Sequence, residues 1–324
     1  MMRICIYCES KYIVKFGRRK TKERGRIQRY QCKECHGTFC DDEGFKWKHK
    51  SVKTILDALE LFAIGNTLRF ISQFLGIAKE TVFRWFLEYA RLLDKYVERF
   101  RQNFTDMLHM DELFLKMCGT FYYVWASICR DTRFATMILS RDRTKKYAYQ
   151  LLNESPSPLE VTTDGAFAYG GVIRRRFGHW WYRHNYHRCA NFEDKKNNNL
   201  IERLNNTIRS LTHKRRGYRG IVTGRWELRF LEIYYNFIRR HMTIGMTPAE
   251  KAGLIEYYGC KNEESRLRYL IKQATQDAYS YLTLLINRIC RQSHSLSLVL
   301  EFVVRRYLNI TDTRIFKINS ISKA

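Results

Sequence analysis

The sequence predicts a multidomain α/β protein: a small cysteine-bearing module at 1–45, a helical pair within 46–104, an α/β domain over 105–254 and a helical tail over 255–324. Three observations predict it. Two CxxC turns fall within the first 35 residues, apolar residues keep helical spacing through 66–96, and apolar β-rich runs begin near 105. At 324 residues the chain has room for two or three domains and a real core. An apolar content of 45% excludes a disordered chain, and with three prolines no Pro-rich linker divides it.

The first module rests on Cys5, Cys8, Cys32 and Cys35. Each CxxC pair can put two thiolates on one tight turn, and two such turns complete a closed tetrahedral Zn²⁺ site. Between them, YIVKFGRRKTKERGRIQRYQ alternates and carries Gly, as hairpin strands do, so the module reads as a zinc ribbon. His36 and Cys40 are close enough to serve as substitute ligands. The zinc would organise a fold too small to bury its own core.

Residues 66–93 follow with Leu68, Ile71 and Leu75 at helical spacing up to Gly76, which can end a first helix. After a short turn, Val82, Trp85, Phe86, Tyr89, Leu92, Leu93 and Tyr96 continue the period, leaving Lys79, Thr81, Arg84 and Glu88 on other faces. Two short helices joined around a glycine, with polar residues opening the second, match a helix-turn-helix. Lys79, Thr81 and Arg84 are its candidate DNA contacts.

From 105 the runs 106–117, 120–131 and 133–142 read as three sequential antiparallel strands. A helix over 145–154, a break at SPSP (155–158), a strand ending at Asp164-Gly165 and a helix carrying Leu200, Ile201, Leu204, Ile208 and Leu211 complete the domain. In the tail, 266–292 and 296–308 look helical and apolar on one face.

Charge narrows the partner. Fifty-eight Lys plus Arg stand against 32 Asp plus Glu, a net +26, and basic residues interleave with aromatics, as in RRRFGHWWYRHNYHR (174–188). That mixture suits phosphate contacts with base stacking better than a membrane surface. The apolar runs are too short and charged to span a bilayer, and the N-terminus lacks a signal-peptide core. A soluble protein of the cytoplasm or nucleoid is expected, nuclear in a eukaryotic host.

Three acids stand out in this basic chain: Asp111 in the first strand, Asp164 at the end of a later strand and Glu202 on the following helix. From 165 to 226 there are 14 Lys or Arg and only Glu193, Asp194 and Glu202 as acids. A carboxylate there would repel phosphate unless a cation cancels it. Mg²⁺ (or Mn²⁺) takes oxygen ligands, keeps positions for water and phosphate, and supports in-line displacement at phosphorus. Arg203, Arg209, Lys214, Arg215 and Arg216 around Glu202 are then candidate DNA contacts. A solvated Glu202 is the plain alternative, and Glu112 is an alternative to Asp111, since strand alternation sends the two to opposite faces.

Several stretches in order resemble the DDE-class insertion-sequence transposases that carry an N-terminal zinc ribbon: 28–39, the helix-turn-helix, 109–143, EVTTDGAFAY (160–169), NNNLIERLNNTIRSLTHKRRGY (197–218) and TPAEKAGL (247–254). The resemblance implies a ribonuclease-H-like catalytic domain and a metal-binding triad of Asp111, Asp164 and Glu202. It implies cleavage at element ends and joining of the freed 3′-hydroxyl to target DNA. It also implies double-stranded DNA partners, the terminal inverted repeats and the target, and a homodimer or larger assembly on DNA. A catalytically inactive, transposase-derived DNA-binding protein is the competing expectation. A tyrosine recombinase is disfavoured for want of a spaced Arg–His–Arg set.

Overall fold

The computed structural model describes residues 5, 10–21, 25–40, 45, 50–100, 104–117, 119–164, 167–188, 198–215 and 220–292. They fall in two compact units, 1–52 with 271–324, and 53–270. The helix pair and the larger sheet therefore share a unit.

In the first unit, β1 (Ile13–Thr21), β2 (Gly25–Cys32) and β3 (Thr38–Cys40) form an antiparallel sheet in that order. Cys5, Tyr30, Cys32 and Phe39 make its buried cluster. Four such side chains are too few to hold a fold by apolar burial alone.

In the second unit, α1 (Val52–Ala63), α2 (Leu68–Leu75) and α3 (Lys79–Val97) come first. Thr67 caps α2 by accepting the Phe70 amide at 3.2 Å, and Gly76 ends it in the left-handed conformation at φ 62°. Gly65, at φ 95°, lets the α1–α2 turn approach closely: a Cβ there would lie 2.9 Å from Leu211 Cδ2. The apolar face of α3 is buried at Val82, Trp85, Phe86, Tyr89, Leu93 and Tyr96, as its period predicts.

The larger sheet has β4 (Thr105–Met117), β5 (Thr120–Cys129), β6 (Ala135–Ser140), β7 (Ser157–Thr163) and β8 (Tyr186–Arg188). Its order is β6-β5-β4-β7-β8, with β4, β5 and β6 antiparallel and β4, β7 and β8 parallel. This five-stranded mixed sheet is consistent with a ribonuclease-H-like core. Asp106 opens β4 by holding the β5–β6 turn: its oxygens accept the Thr132 amide at 3.0 Å and hydroxyl at 2.7 Å.

Around the sheet lie α4 (Lys145–Glu154), α5 (Phe167–Phe177), α6 (His179–Asn185), α7 (Asn199–Lys214) and α8 (Ile221–Ile233), which runs on as a π-helical turn over Tyr234–Ile238. Leu113, Val124, Ala126 and Met137 of the sheet pack with Ile201, Leu204 and Ile208 of α7 and with Leu228 and Leu231 of α8. Strand β6 is an edge, and α8 covers its polar groups. Glu232 accepts the Met137 amide at 3.0 Å, and Asn236 accepts from and donates to Ala135. After α9 (Pro248–Lys251), capped by a Thr247–Glu250 box, comes α10 (Glu263–Gln292). Arg266 donates to the Ile238 carbonyl, and Leu267 and Leu270 are buried, so the start of the tail packs on this unit. The expected helix at 296–308 lies outside the described residues. No helix among them is long and apolar enough to cross a membrane.

Candidate active site

The β4–β7 register ends at Met110 opposite Thr163, so the next positions, Asp111 and Asp164, are neighbours at one level of the sheet. Alternation along β4 sends Asp111 to the face that α7 covers, with Leu113 and Leu115. There Asn205 of α7 donates from Nδ2 to Asp111 Oδ2 at 2.8 Å, while the Glu112 amide donates to Oδ1 at 2.8 Å. Glu202, three residues before Asn205, lies within one turn on the same helix. Asp164 and Glu202 are exposed and Asp111 is half-buried.

The electrostatics record the convergence. Burial pushes the Asp111 carboxyl up from 3.8 to about 7, and the charges of Asp164, Glu112 and Glu202 push it the same way, against the bond from the Glu112 amide. A cluster of acidic side chains is thus built into a chain of net +26. Oxygen donors of this kind suit a hard divalent cation. Their ligand atoms are not all within 4.8 Å of one another; among the described residues only the Cys5, Cys32 and Cys35 group is that close.

Glu112 resolves differently. Its side chain is 3% exposed and faces the opposite side of the sheet, where Tyr169 donates to Oε2 at 2.7 Å and Arg143 pairs with Oε1. It is fully engaged, while Asp111 turns toward α7. Asn205 is the residue that sequence reasoning missed. It is 2% exposed, and its spacing of four from Ile201 and three from Ile208 was the available signal.

Of the expected DNA contacts, Lys79 and Arg84 are exposed on α3, with Thr81 half-buried beside them at 3.5 Å from Arg84. Arg203, Arg209 and Lys214 are exposed on α7. Arg215 is not on that surface. Its side chain is 7% exposed, pairs with Glu227 at 3.1 Å, donates to the Phe62 carbonyl and lies over the Phe62 ring at 4.1 Å. Arg216 lies outside the described residues.

At the N-terminal module, the Cys5, Cys32 and Cys35 sulfurs lie within 4.8 Å of one another, with Cys5 and Cys35 at 3.6 Å. A tetrahedral zinc with bonds of about 2.3 Å sets sulfurs about 3.8 Å apart, so the donors fit that ion. The Glu34 amide donates to Cys32 Sγ at 3.4 Å. His36 and Cys40 are not part of the group, and Cys8 lies outside the described residues.

Residues 105–238 match the family model of the IS240-type transposase DDE domain. The resemblance to DDE-class insertion-sequence transposases is therefore borne out over the segment that holds all three acids. No curated protein matches the chain. Among solved structures, a chain of the simian T-cell lymphotropic virus intasome in complex with PP2A regulatory subunit B56 gamma is similar at 12% identity and a TM-score of 0.36. That match covers 50% of this chain and 60% of that one, so this chain spans less than two thirds of its length. The HTLV-2 integrase catalytic core domain in complex with magnesium is similar at 11% identity and a TM-score of 0.34, covering 47% of this chain and 99% of that one.

Proposed function

We propose that the protein is a metal-dependent DNA transposase that cleaves element ends and joins the 3′-hydroxyl to target DNA. What supports this is that Asp164, just past β7, and Glu202 on α7 lie near enough for their charges to act on Asp111 in β4, within the segment matched by a DDE domain. In this reading the three carboxylates hold Mg²⁺ or Mn²⁺. Such an ion, when bound, activates the nucleophile and stabilises the leaving oxygen of an in-line displacement.

The remaining work falls to side chains of this chain. Asn205 orients the Asp111 carboxylate through its amide, fixing which oxygen faces α7. Tyr169 and Arg143 hold Glu112 on the other face, so it does not compete for the cation. The exposed Arg203, Arg209 and Lys214 on α7 neutralise backbone phosphates beside the acids. Lys79, Thr81 and Arg84 on α3 read or grip terminal-repeat DNA, as the second helix of a helix-turn-helix does. Cys5, Cys32 and Cys35, completed by Cys8, hold a structural Zn²⁺. A dimer or larger assembly on DNA would bring two ends together.

The test is strand transfer in vitro. Full-length protein is mixed with Mg²⁺ or Mn²⁺, a labelled fragment bearing the ends that flank its gene, and a supercoiled target. Joined products from wild type, absent with Glu202→Gln and abolished by EDTA, are expected. Tight binding to the ends with no cleavage by wild type would overturn the catalytic reading and leave a DNA-binding protein.

A further inference from the structure

Beside the candidate centre, between the sheet and α7, lies a cavity of about 440 Å³. Its lining is basic from three separate places in the chain: Arg130 and Arg133 on the β5–β6 turn, Arg203 on α7 and Arg239 just past the π-helical turn. None of these guanidinium groups has a carboxylate partner among the described residues. Arg130 rests on the Met107 sulfur at 3.6 Å. Glu160, the one acid in the lining, is within 3.5 Å of His187 Nε2. Four like charges repel one another, and an anion between them relieves that repulsion.

Two more observations say that the cavity is built for a ligand. His109 and His241 line it, and His109 Nδ1 and His241 Nε2 are buried without a hydrogen bond of good geometry, although the Asn198 side chain lies beside His109 and the Tyr235 backbone beside His241. His109 is 8% exposed. Buried polar atoms left unsatisfied are rare because each forfeits its hydration, and a bound group that hydrogen-bonds them restores it. The backbone carries the third sign. Arg133 sits at φ 65°, a conformation costly for a residue with a side chain, and the turn bearing it is clamped by Asp106 at 2.7 and 3.0 Å. A glycine would sit there without strain, so the position keeps its guanidinium at a conformational cost.

We propose that this cavity binds the phosphate of a nucleotide unit, either one unit of a DNA strand leading from the Asp111 centre or a free nucleotide. Guanidinium forks and imidazole nitrogens match phosphate oxygens. The volume exceeds one phosphate and suits a phosphate with its sugar. The strand form rests on the transposase reading; the free form does not.

The experiment is titration calorimetry on the full chain at low salt, in EDTA so that no metal at the acids contributes. The probes are inorganic phosphate, thymidine 5′-monophosphate and a 20-base-pair duplex. Arg133→Gly removes the guanidinium while relieving the backbone, so it keeps the fold; Arg239→Gln removes a second charge without shortening the stem to alanine. Arg69→Gln, exposed on α2, is the control. One mole of thymidine monophosphate per chain is expected to bind, at least tenfold more weakly in Arg133→Gly and Arg239→Gln and unchanged in Arg69→Gln. Duplex that displaces the nucleotide, and is itself weakened by Arg133→Gly, identifies a strand as the source. Nucleotide binding that the duplex leaves untouched identifies a free nucleotide. No binding, or equal binding by wild type and Arg133→Gly, overturns the proposal. Failed strand transfer with nucleotide binding intact would sink the transposase reading alone.

Discussion

Replacing Asp111 with Asn should stabilise the metal-free protein at pH 8. The folded carboxyl titrates at about 7 against 3.8 ordinarily, so its protonated form is favoured in the fold. A raised folded pKa gives stability that is present below 3.8 and lost as pH rises through about 7. By pH 8 that loss approaches about 4 kcal/mol. Asn carries no charge to lose. Its carbonyl can still accept the Glu112 amide, and its new N–H can meet Asn205 once that amide turns, using the Asn205 Oδ1 that now lacks a partner. For a unit the size of 53–270, about 4 kcal/mol corresponds to about 8–16 °C in Tm. Thermal melts of wild type and Asp111→Asn in EDTA should therefore coincide near pH 4 and separate toward pH 8, the variant melting higher. Mg²⁺ should raise the wild-type Tm at pH 8 and leave the variant unmoved. A variant no more stable than wild type at pH 8 would refute the reasoning, because burial and the neighbouring acids would then not disfavour the charged form of Asp111.

Arg215→Ala should cost about 1.5–3 kcal/mol of stability by removing the buried ion pair with Glu227 and the bond to the Phe62 carbonyl, with DNA affinity of the folded fraction unchanged; equilibrium unfolding with a parallel binding titration checks both. Cys32→Ser should abolish bound zinc and loosen the ribbon sheet, read by metal content and amide exchange over 13–40. With about eight phosphate contacts, log affinity for duplex DNA should fall with log salt at a slope of about −7, and a nearly flat slope would remove the electrostatic account.

Much of the fold was legible because its signals are local. Strands β4 to β6 alternate or run apolar between short polar turns, and α4 occupies 145–154 as its pattern predicts. Thr67, Gly76 and the Thr247 box mark helix ends by chemistry that needs no partner from afar. The region 167–188 gave no such period: its interleaved Arg and aromatics conceal two helices and the three-residue β8. At the site, residue types were visible but their meeting was not. Asp111 and Asp164 become neighbours through a parallel register, and Glu202 lies one turn before Asn205, a polar residue inside an apolar stripe that bonds Asp111. Arg215 looked like part of a basic surface because its partner Phe62 lies 153 positions away.

The central claim is that Asp111, Asp164 and Glu202 share a divalent cation. Crystals grown with Mn²⁺ test it most directly through anomalous scattering. The account predicts a peak bounded by those three carboxylates, lost in Glu202→Gln. A map with no peak there at saturating Mn²⁺, with Glu202 turned to solvent, would contradict it.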